Sequence, residues 1–437
     1  MGNVWHLAFP MSISSLLMAL PTTLDMFWMG KLGVAALASV GIVQSLRMAI
    51  ISPIIGLSVG GGAAIARYIG AGDQERANLA MFQSLVLFLL IVGSTGLAGF
   101  IFARPLLRLL GVGEDVIPLA LSYARIIFAG LLAMDMLPTV SGLLNASGSP
   151  ERSLQANIIA AIIIILLEPL LVFGLGPFPQ LGIRGAGMAM VLGNSLGSGY
   201  HVFVLLTGRA RVRIDRKSLR LDWQLMKRII LITLPAGVQQ STFNIANIIL
   251  IRIVSAYGTT TLAAYSVVRR ILQLVQMPYF SLGRASATMV GQNLGAAKAS
   301  RAEKSAWLIA TLTMIFAGLS MTVLSFMAKP IISVFNAEVG VVSVGVSMIR
   351  IVAIGQVFMS LSRVMESSLG GSGDTISPMV INIIALWFIQ LPLAYSFSWI
   401  VDWGTNGIWL ALSIGYMVAA LMMTLRFQQG KWKLKEI

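Results

Sequence analysis

Apolar runs of about twenty or more residues, each closed by glycine, proline or a cluster of charges, follow one another along this 437-residue chain. Their length suits helices that cross hydrocarbon, each needing about 20 residues. The ~10-residue alternating segments of a membrane β-barrel are absent. The pattern predicts twelve helical spans, near 5–29, 34–66, 79–103, 116–140, 154–175, 186–207, 229–254, 262–290, 305–328, 342–367, 378–400 and 406–426. The longest polar break, 208–228, falls in the middle.

A shift of 225 positions lays the second half over the first. "LAFP" ending at Pro10 meets "ITLP" ending at Pro235, and Gly33 meets Gly258. Pro53 meets Pro278, "ARPLL" meets "AKPII", Arg125 meets Arg350, Gly148 meets Gly373, and Asn157-Ile158-Ile159 meets Asn382-Ile383-Ile384. After the fifth span the shift becomes 222, where "RGAGMAMVLG" meets "NGIWLALSIG". Matched Pro, Gly and Arg in the loops are not what unrelated apolar runs would give. Six is an even number of crossings, so both halves enter the membrane in the same direction, as parallel repeats. The expected fold is an all-α polytopic membrane protein with twelve transmembrane helices in two pseudo-symmetric six-helix lobes. The N-lobe is 1–207, a basic cytoplasmic linker 208–228, the C-lobe 229–426 and a basic tail 427–437.

Composition agrees: hydrophobic residues make up 57%, charged residues 11%, and mean hydropathy is +0.87, where soluble proteins carry about 25% charged residues. The net charge of +15 sits largely in "GRARVRIDRKSLRLDWQLMKR" (208–228) and "KWKLKEI". Basic loops beside apolar spans orient a chain and meet anionic headgroups, so membrane lipid rather than nucleic acid is the expected partner. The side shared by both termini carries 18 Lys/Arg against 5 opposite. Both termini are therefore expected in the cytoplasm of a multi-pass plasma (inner) membrane protein. There is no cysteine, and His6 and His201 stand far apart, which excludes disulfides and any thiolate or histidine metal cluster. The start lacks a signal peptide's basic region and cleavage site, and "MGNVWH" lacks the hydroxyl residue of a myristoylation signal. The first helix is expected to act as an uncleaved anchor, and the natural chain could begin earlier.

Charges within the spans carry the chemistry. Asp25 is the only charge between Trp5 and Met29, although a carboxylate at membrane depth costs about 2.5–3.5 kcal/mol on the mildest scale. Glu168, in "LLEPLL", is expected at a similar depth on the fifth span. The repeat mates are apolar: Leu250 for Asp25, and Leu391 or Leu393 for Glu168. The acidic pair thus belongs to the N-lobe alone. Burial and a second acid both disfavour ionisation, so such a pair can take and release protons. Pro10 and Pro21 supply a helix-1 hinge, since a proline inside a helix removes a hydrogen bond and permits a bend. A permanent pair between Asp25 and an arginine such as Arg47 is the bland alternative. In the C-lobe, Gln240, Asn244 and Asn247 recur at i, i+4, i+7, and Arg284 lies on the eighth span. With Asp25 these are candidates for substrate binding, although they could simply bond neighbouring helices. Asp135 and Glu366, expected near the cytoplasmic ends of their spans, are gate candidates. The 24 methionines and 19 phenylalanines suit an adaptable lining but are also ordinary core filler.

Two motifs mislead. "GSGD" (371–374) fits an intramembrane aspartyl protease pattern, but its mate is "ASGS" and both fall in short turns. "VGGGAAIARYIGAG" (59–72) follows no strand and precedes no GK[ST], so it is no phosphate loop. No ATPase motif appears, which leaves an ion gradient as the energy source, with no cofactor.

The stretches "LDMFWMGKLGVAALASVG" (24–41), "PIIGLSVGGGAAIARYIGAGD" (53–73) and "MPYFSLGRASATMVGQNLGAAK" (277–298) resemble the multidrug and toxic compound extrusion (MATE) family over essentially the whole chain. The resemblance implies a secondary active antiporter, not an enzyme. It would export small amphipathic, often cationic, drug-like compounds by alternating access of two lobes, in exchange for protons or sodium. It also implies that Asp25 is the family's coupling aspartate and that Glu168 matches an acid of the DinF-type branch. Ile164 and Met190 stand where some of those relatives carry Asn and Thr, and Met359 stands near an acid that NorM-type members use. Coupling is therefore expected at Asp25 and Glu168, by protons, with sodium at Asp25 as the alternative. A monomer is expected. A flippase for lipid-linked saccharides, sharing this architecture, is the runner-up, kept open by Arg284.

Overall fold

A chain surrounded by hydrocarbon must satisfy its backbone hydrogen bonds within each segment, and only helices do so span by span. The computed structural model describes residues 2–435, and no strand occurs among them. The first half runs through α1 (Gly2–Leu32), α2 (Val34–Ile51), a 3₁₀ turn (Ser52–Ile55), α3 (Gly56–Ala71), α4 (Gln74–Leu109), α5 (Ile117–Ala129), α6 (Leu131–Ser147), α7 (Pro150–Phe173) and α8 (Ile183–Thr207). The second runs through α9 (Trp223–Ser255), α10 (Thr259–Gly295), α11 (Ala299–Phe326), the short α12 (Ala328–Phe335) and α13 (Val339–Ser372). It continues with α14 (Ile376–Ile383) and α15 (Leu391–Tyr395), each followed by a π-helical turn (Ile384–Gln390 and Ser396–Ile400), and ends with α16 (Gly404–Gln428). Joined across their short breaks, these are the twelve expected spans. Among the described residues nine helices are long and apolar enough to cross a membrane, ten if α5 and α6 count as one.

Two spans are broken where the pattern predicts continuity. Pro53, which cannot donate to a helix ladder, lies in the 3₁₀ turn between α2 and α3. At Gly130 the chain bends by 51° between α5 and α6. A Cβ there would stand 2.2 Å from Val191 Cγ2, so only glycine lets α8 approach the bend. At the repeat mate, Gly355, a Cβ would stand 2.7 Å from the Cα of Ser413, the mate of Val191, yet α13 is unbroken.

The chain divides into two compact units, Met1–Leu234 and Pro235–Ile437. The connector is less of a free linker than its charge suggests, and α9 begins inside it at Trp223. Residues 208–222 lie on the first unit through backbone groups. Arg209 O accepts from Arg152 Nε at 3.0 Å, Arg213 N donates to Asn78 Oδ1 at 2.9 Å, and Arg220 O accepts from Gln83 Nε2 at 2.6 Å. Val212 is fully buried. The tail does likewise in the second unit. Trp432 is buried, stacks on Phe427 at 4.6 Å and donates Nε1 to Phe427 O at 2.7 Å, while Lys433 pairs with Glu303 at 2.6 Å.

Backbone geometry repeats with the sequence. Left-handed or positive-φ residues recur as Gly33 and Gly258, and as Gly148 and Gly373, at a shift of 225. They recur as Gly182 and Gly404, and as Gly208 and Gly430, at 222. Side-chain approaches add one detail. A Cβ on Gly193 would meet Ile164, and one on its mate Gly415 would meet Gln390; Gly185 likewise meets Leu171 where Gly407 meets Phe397. These contacts set a local shift of 226, because the first π-helical turn accommodates one extra residue. Ala394, rather than Leu391 or Leu393, is therefore the mate of Glu168.

Candidate functional site

The site of the first unit rests on the pairing of α1 with α7. Buried residues of α1 fall at Leu7, Ala8, Met11, Ser14, Pro21, Asp25 and Met29, and from Leu7 the stripe recurs at steps of three, four or seven, so Asp25 shares the inward face. In α7 the corresponding stripe is Ser153, Asn157, Ala160, Ile164, Glu168 and Leu171. Asn157 Nδ2 donates to Ser14 Oγ at 2.5 Å. Eleven residues further along both helices, the Asp25 and Glu168 carboxyl groups meet within hydrogen-bonding reach. Eleven residues are about three turns, so the two helices run parallel and in register from one polar contact to the next.

Both acids are sealed. Asp25 is 1% exposed and Glu168 0%. Among the described residues no N–H or O–H donor reaches Asp25 Oδ1 or either Glu168 oxygen. Arg47, the alternative partner, is engaged elsewhere: its Nη2 lies 2.5 Å from Asp135 Oδ1, on α6. That ion pair stands twelve residues before the end of α6, so Asp135 is nearer mid-span than the span end expected of it. Above the acids, Tyr123 of α5 is fully buried and feels both carboxyl groups and Arg47. Gln44 Nε2 donates to the Tyr123 hydroxyl at 3.2 Å, and that hydroxyl donates to Met190 Sδ at 3.6 Å. Ile164 and Met190 are buried, Ile164 one turn before Glu168 and Met190 against Gln44 and Tyr123, and their side chains bring no oxygen. Pro10 and Pro21 lie inside α1, which stays helical across both, and Pro21 is buried one turn before Asp25.

The second unit concentrates its polarity elsewhere. Glu366 of α13 accepts from Arg363 at 3.1 Å, from Gln239 Nε2 at 2.8 Å and from Asn382 Nδ2 at 3.4 Å. These residues line a cavity of about 50 Å³ together with Gln240, Gln390 and Tyr416, room for a few waters. Glu366 lies six residues before the end of α13, close to where it was expected. The stripe on α9 divides. Gln240 meets Asn244 at 3.5 Å, whereas Asn247 accepts from Arg269 Nη1. Arg284 has an exposed side chain and is not among the residues lining the cavity. Three positions of this cluster repeat the first unit's lower contact: Gln239, Glu366 and Asn382 stand 225 positions after Ser14, Ser141 and Asn157, and Asn157 also reaches Ser141 Oγ at 3.4 Å.

The family model for MatE matches twice, at residues 10–170 and 235–396, once in each half. The chain belongs to the MatE family. The probable multidrug resistance protein YoeA of Bacillus subtilis (strain 168) is 27% identical over 433 residues, covering 98% of this chain and 93% of that protein. An FAD transporter of Shewanella oneidensis is 27% identical over 393 residues, covering 89% and 86%. A crystal structure of a MATE point mutant aligns with a TM-score of 0.92 at 24% identity, covering 99% and 97%, and shares the twelve-helix fold. This MatE chain is a multi-pass membrane transporter and not an enzyme. Several of its relatives are named as probable multidrug resistance proteins, which supports drug-efflux transport of small molecules in a family energised by ion gradients and does not favour the flippase alternative.

Sequence reasoning missed the groups around the acids. Tyr123 and Gln44 are single polar residues in apolar spans and carry no periodic signal. Gln390 was hidden in the same way, whereas Arg269, next to Arg270, and Arg363 are charges within spans and carry the same kind of signal as Asp25. Asn382 and Asn157 served only to fix the register of the repeat, although that register also pairs their partners.

Proposed function

We propose that this protein is a proton-coupled antiporter that exports small amphipathic compounds across the plasma membrane by alternating access. Its lobes are the two six-helix halves, 1–207 and 229–426, and both termini lie in the cytoplasm. The observation that carries this reading is the contact between Asp25 and Glu168. Two sealed carboxyl groups, with no donor among the described residues to Asp25 Oδ1 or to either Glu168 oxygen, hold together best with one proton between them. Losing that proton leaves like charges in contact, and binding it again restores the pair. A cationic cargo and the proton are therefore alternatives for one site, which is the chemistry of exchange. Sodium is the weaker reading, because hard cations take several oxygen ligands and Ile164 and Met190 offer none. Pro21, one turn away, lets the charge state of Asp25 be read as a bend in α1. The acidic pair belongs with the DinF-type pattern. The drug-resistance and FAD-transport names of its relatives support small organic molecules as cargo. The protein acts as a monomer among lipids.

The test is efflux of a fluorescent cation from vesicles holding the wild type or Asp25→Asn, under an imposed proton or sodium gradient. The proton gradient should drive the wild type and leave Asp25→Asn near background. Undiminished proton-driven efflux by the variant, or sodium-driven efflux alone by the wild type, would overturn this reading.

A further inference from the structure

We propose that the second unit carries a separate site for the anionic group of an amphipathic organic anion, built on Arg269 and Arg270. The assignment rests on the transporter reading and extends its cargo from cations to anions. Both arginines lie on α10 and line a pocket of about 280 Å³. Tyr265, Ser266 and Gln273 complete its polar wall, Ile251 and Leu262 its apolar one, and among the described residues no carboxylate lines it. Arg269 lies ten residues into α10, about 15 Å along the helix, where a guanidinium is costly unless it is used.

Its partners aim the charge without cancelling it. Arg269 Nη1 donates to Asn247 Oδ1 and, at 3.4 Å, to the Tyr265 hydroxyl. The guanidinium also lies 5.9 Å from the centre of the Tyr265 ring. Tyr265 is held in turn by stacking on buried Trp409, 5.9 Å away and 6° from parallel. A planar guanidinium fixed at two points still presents its remaining N–H groups, and that fork matches a carboxylate, sulfonate or phosphate. The pocket is near the lower size of small-molecule sites and accepts a charged head with a small ring. At the equivalent position the first unit carries neutral Gln44, which bonds Tyr123. The charge is thus a property of this unit and not of the repeated scaffold.

The test measures binding of pyrenesulfonate, an amphipathic anion, and ethidium, a cation, to the full chain in phosphatidylcholine nanodiscs. Arg269→Gln, which installs the residue of the first unit, should weaken pyrenesulfonate by about tenfold or more, the loss expected for a charged hydrogen bond. Ethidium should change less than about twofold. Arg269→Lys, which keeps the charge and loses the fork, should fall between. If Arg269→Gln does not fold, Ser266→Glu, at the exposed rim, should repel the anion and spare the cation. Equal loss of both probes, or no loss of pyrenesulfonate, overturns the proposal. Nanodiscs containing phosphatidylglycerol separate the two sources of such a head group. Arg269-dependent competition by that lipid would reassign the pocket to lipid and overturn an anionic cargo, and absence of competition supports it. Binding needs no gradient, so a chain that binds the anion through Arg269 yet fails to exchange protons defeats only the antiport reading.

Discussion

The two units are built on one scaffold and spend their polar residues at different places on it. In the first unit, the upper level of the α1–α7 pair holds Asp25 against Glu168, and the lower level holds only Ser14, Ser141 and Asn157. In the second, the lower level holds Gln239, Glu366 and Asn382 around a cavity, with Arg363 beside them. The upper level is closed by Leu250 and Ala394, both within one apolar cluster. The contrast extends to neighbouring positions. Arg47 and Asp135 form an ion pair where the second unit has buried Leu272 and Ser360, and Gln44 stands where it has Arg269. Duplicated helices fix where a side chain can point. Which of those places is charged differs between the units, and on the proposed readings that difference sets what each can hold: protons and cations in the first, hydrogen-bonding and anionic groups in the second.

The strongest way to break this comparison is to move the acid across. Leu250→Asp places a carboxyl group in the apolar cluster without its partner. Burying an unpaired polar group costs several kcal/mol, about 2–7 depending on the reference, and most of the protein should fail to elute as a single species from size exclusion in detergent. Adding Ala394→Glu supplies the missing partner and should recover part of the folded fraction. A single Leu250→Asp that behaves like the wild type would mean that this level of the second unit is wet.

Next comes the ion pair present in the first unit only. Arg47→Met leaves Asp135 buried beside nothing of opposite charge, and removing one partner of a buried pair costs about 3–5 kcal/mol. Replacing both, Arg47→Met with Asp135→Leu, should return the thermal midpoint close to that of the wild type. Equal midpoints for the single and double variants would mean that Asp135 is hydrated or has another partner.

A smaller effect, on transport rather than folding, separates the two polar levels. Glu168→Gln removes the acid proposed to share the proton and should lower proton-driven efflux by about tenfold, equivalent to 1.4 kcal/mol. Glu366→Gln should lower efflux too, but leave its dependence on the proton gradient unchanged, because Glu366 is satisfied by Arg363, Gln239 and Asn382. Gradient dependence lost from Glu366→Gln and kept in Glu168→Gln would reverse the assignment.

Much of this comparison can be read before any coordinates exist, and the reason is physical. Apolar length, a lone acid in a span and a glycine at a turn are signals carried by single residues or short windows. They suffice for twelve spans, the register of 225 and the suspicion attached to Asp25 and Glu168. What escapes the sequence depends on which faces meet. Arg47 is equally credible as a partner for Asp25 or Asp135, and only the packing of α2 against its neighbours sends it to Asp135. Tyr123 looks like one more apolar-span aromatic until its hydroxyl lies between Gln44 and Met190. The bend at Gly130 and the π-helical turns ending at Gln390 and Ile400 are marked by no local pattern. The first of those turns also displaced the mate of Glu168 to Ala394.

The smallest expected effect concerns a flaw in the symmetry. Gly72 ends α3 in the left-handed conformation, at φ 77°, and Asp73 then caps α4 by accepting from Arg76 N at 2.9 Å. In the second unit the same turn is made by Ala297, at φ 57°, followed by Lys298, which makes no side-chain cap. An L-residue in this region costs roughly 1–2 kcal/mol that glycine does not incur, and glycine returns part of that through its greater freedom in the unfolded chain. Ala297 is exposed, so losing its methyl group sacrifices little packing. Ala297→Gly should therefore stabilise by about 0.5–1 kcal/mol, a rise of about 1–4 °C for a unit of this size. Gly72→Ala should lower the midpoint by a similar amount, and exchanging both should nearly cancel, since the turns lie in separate units. A fall on Ala297→Gly would show that the second unit depends on that methyl group, and that this turn is not a repeat of the first.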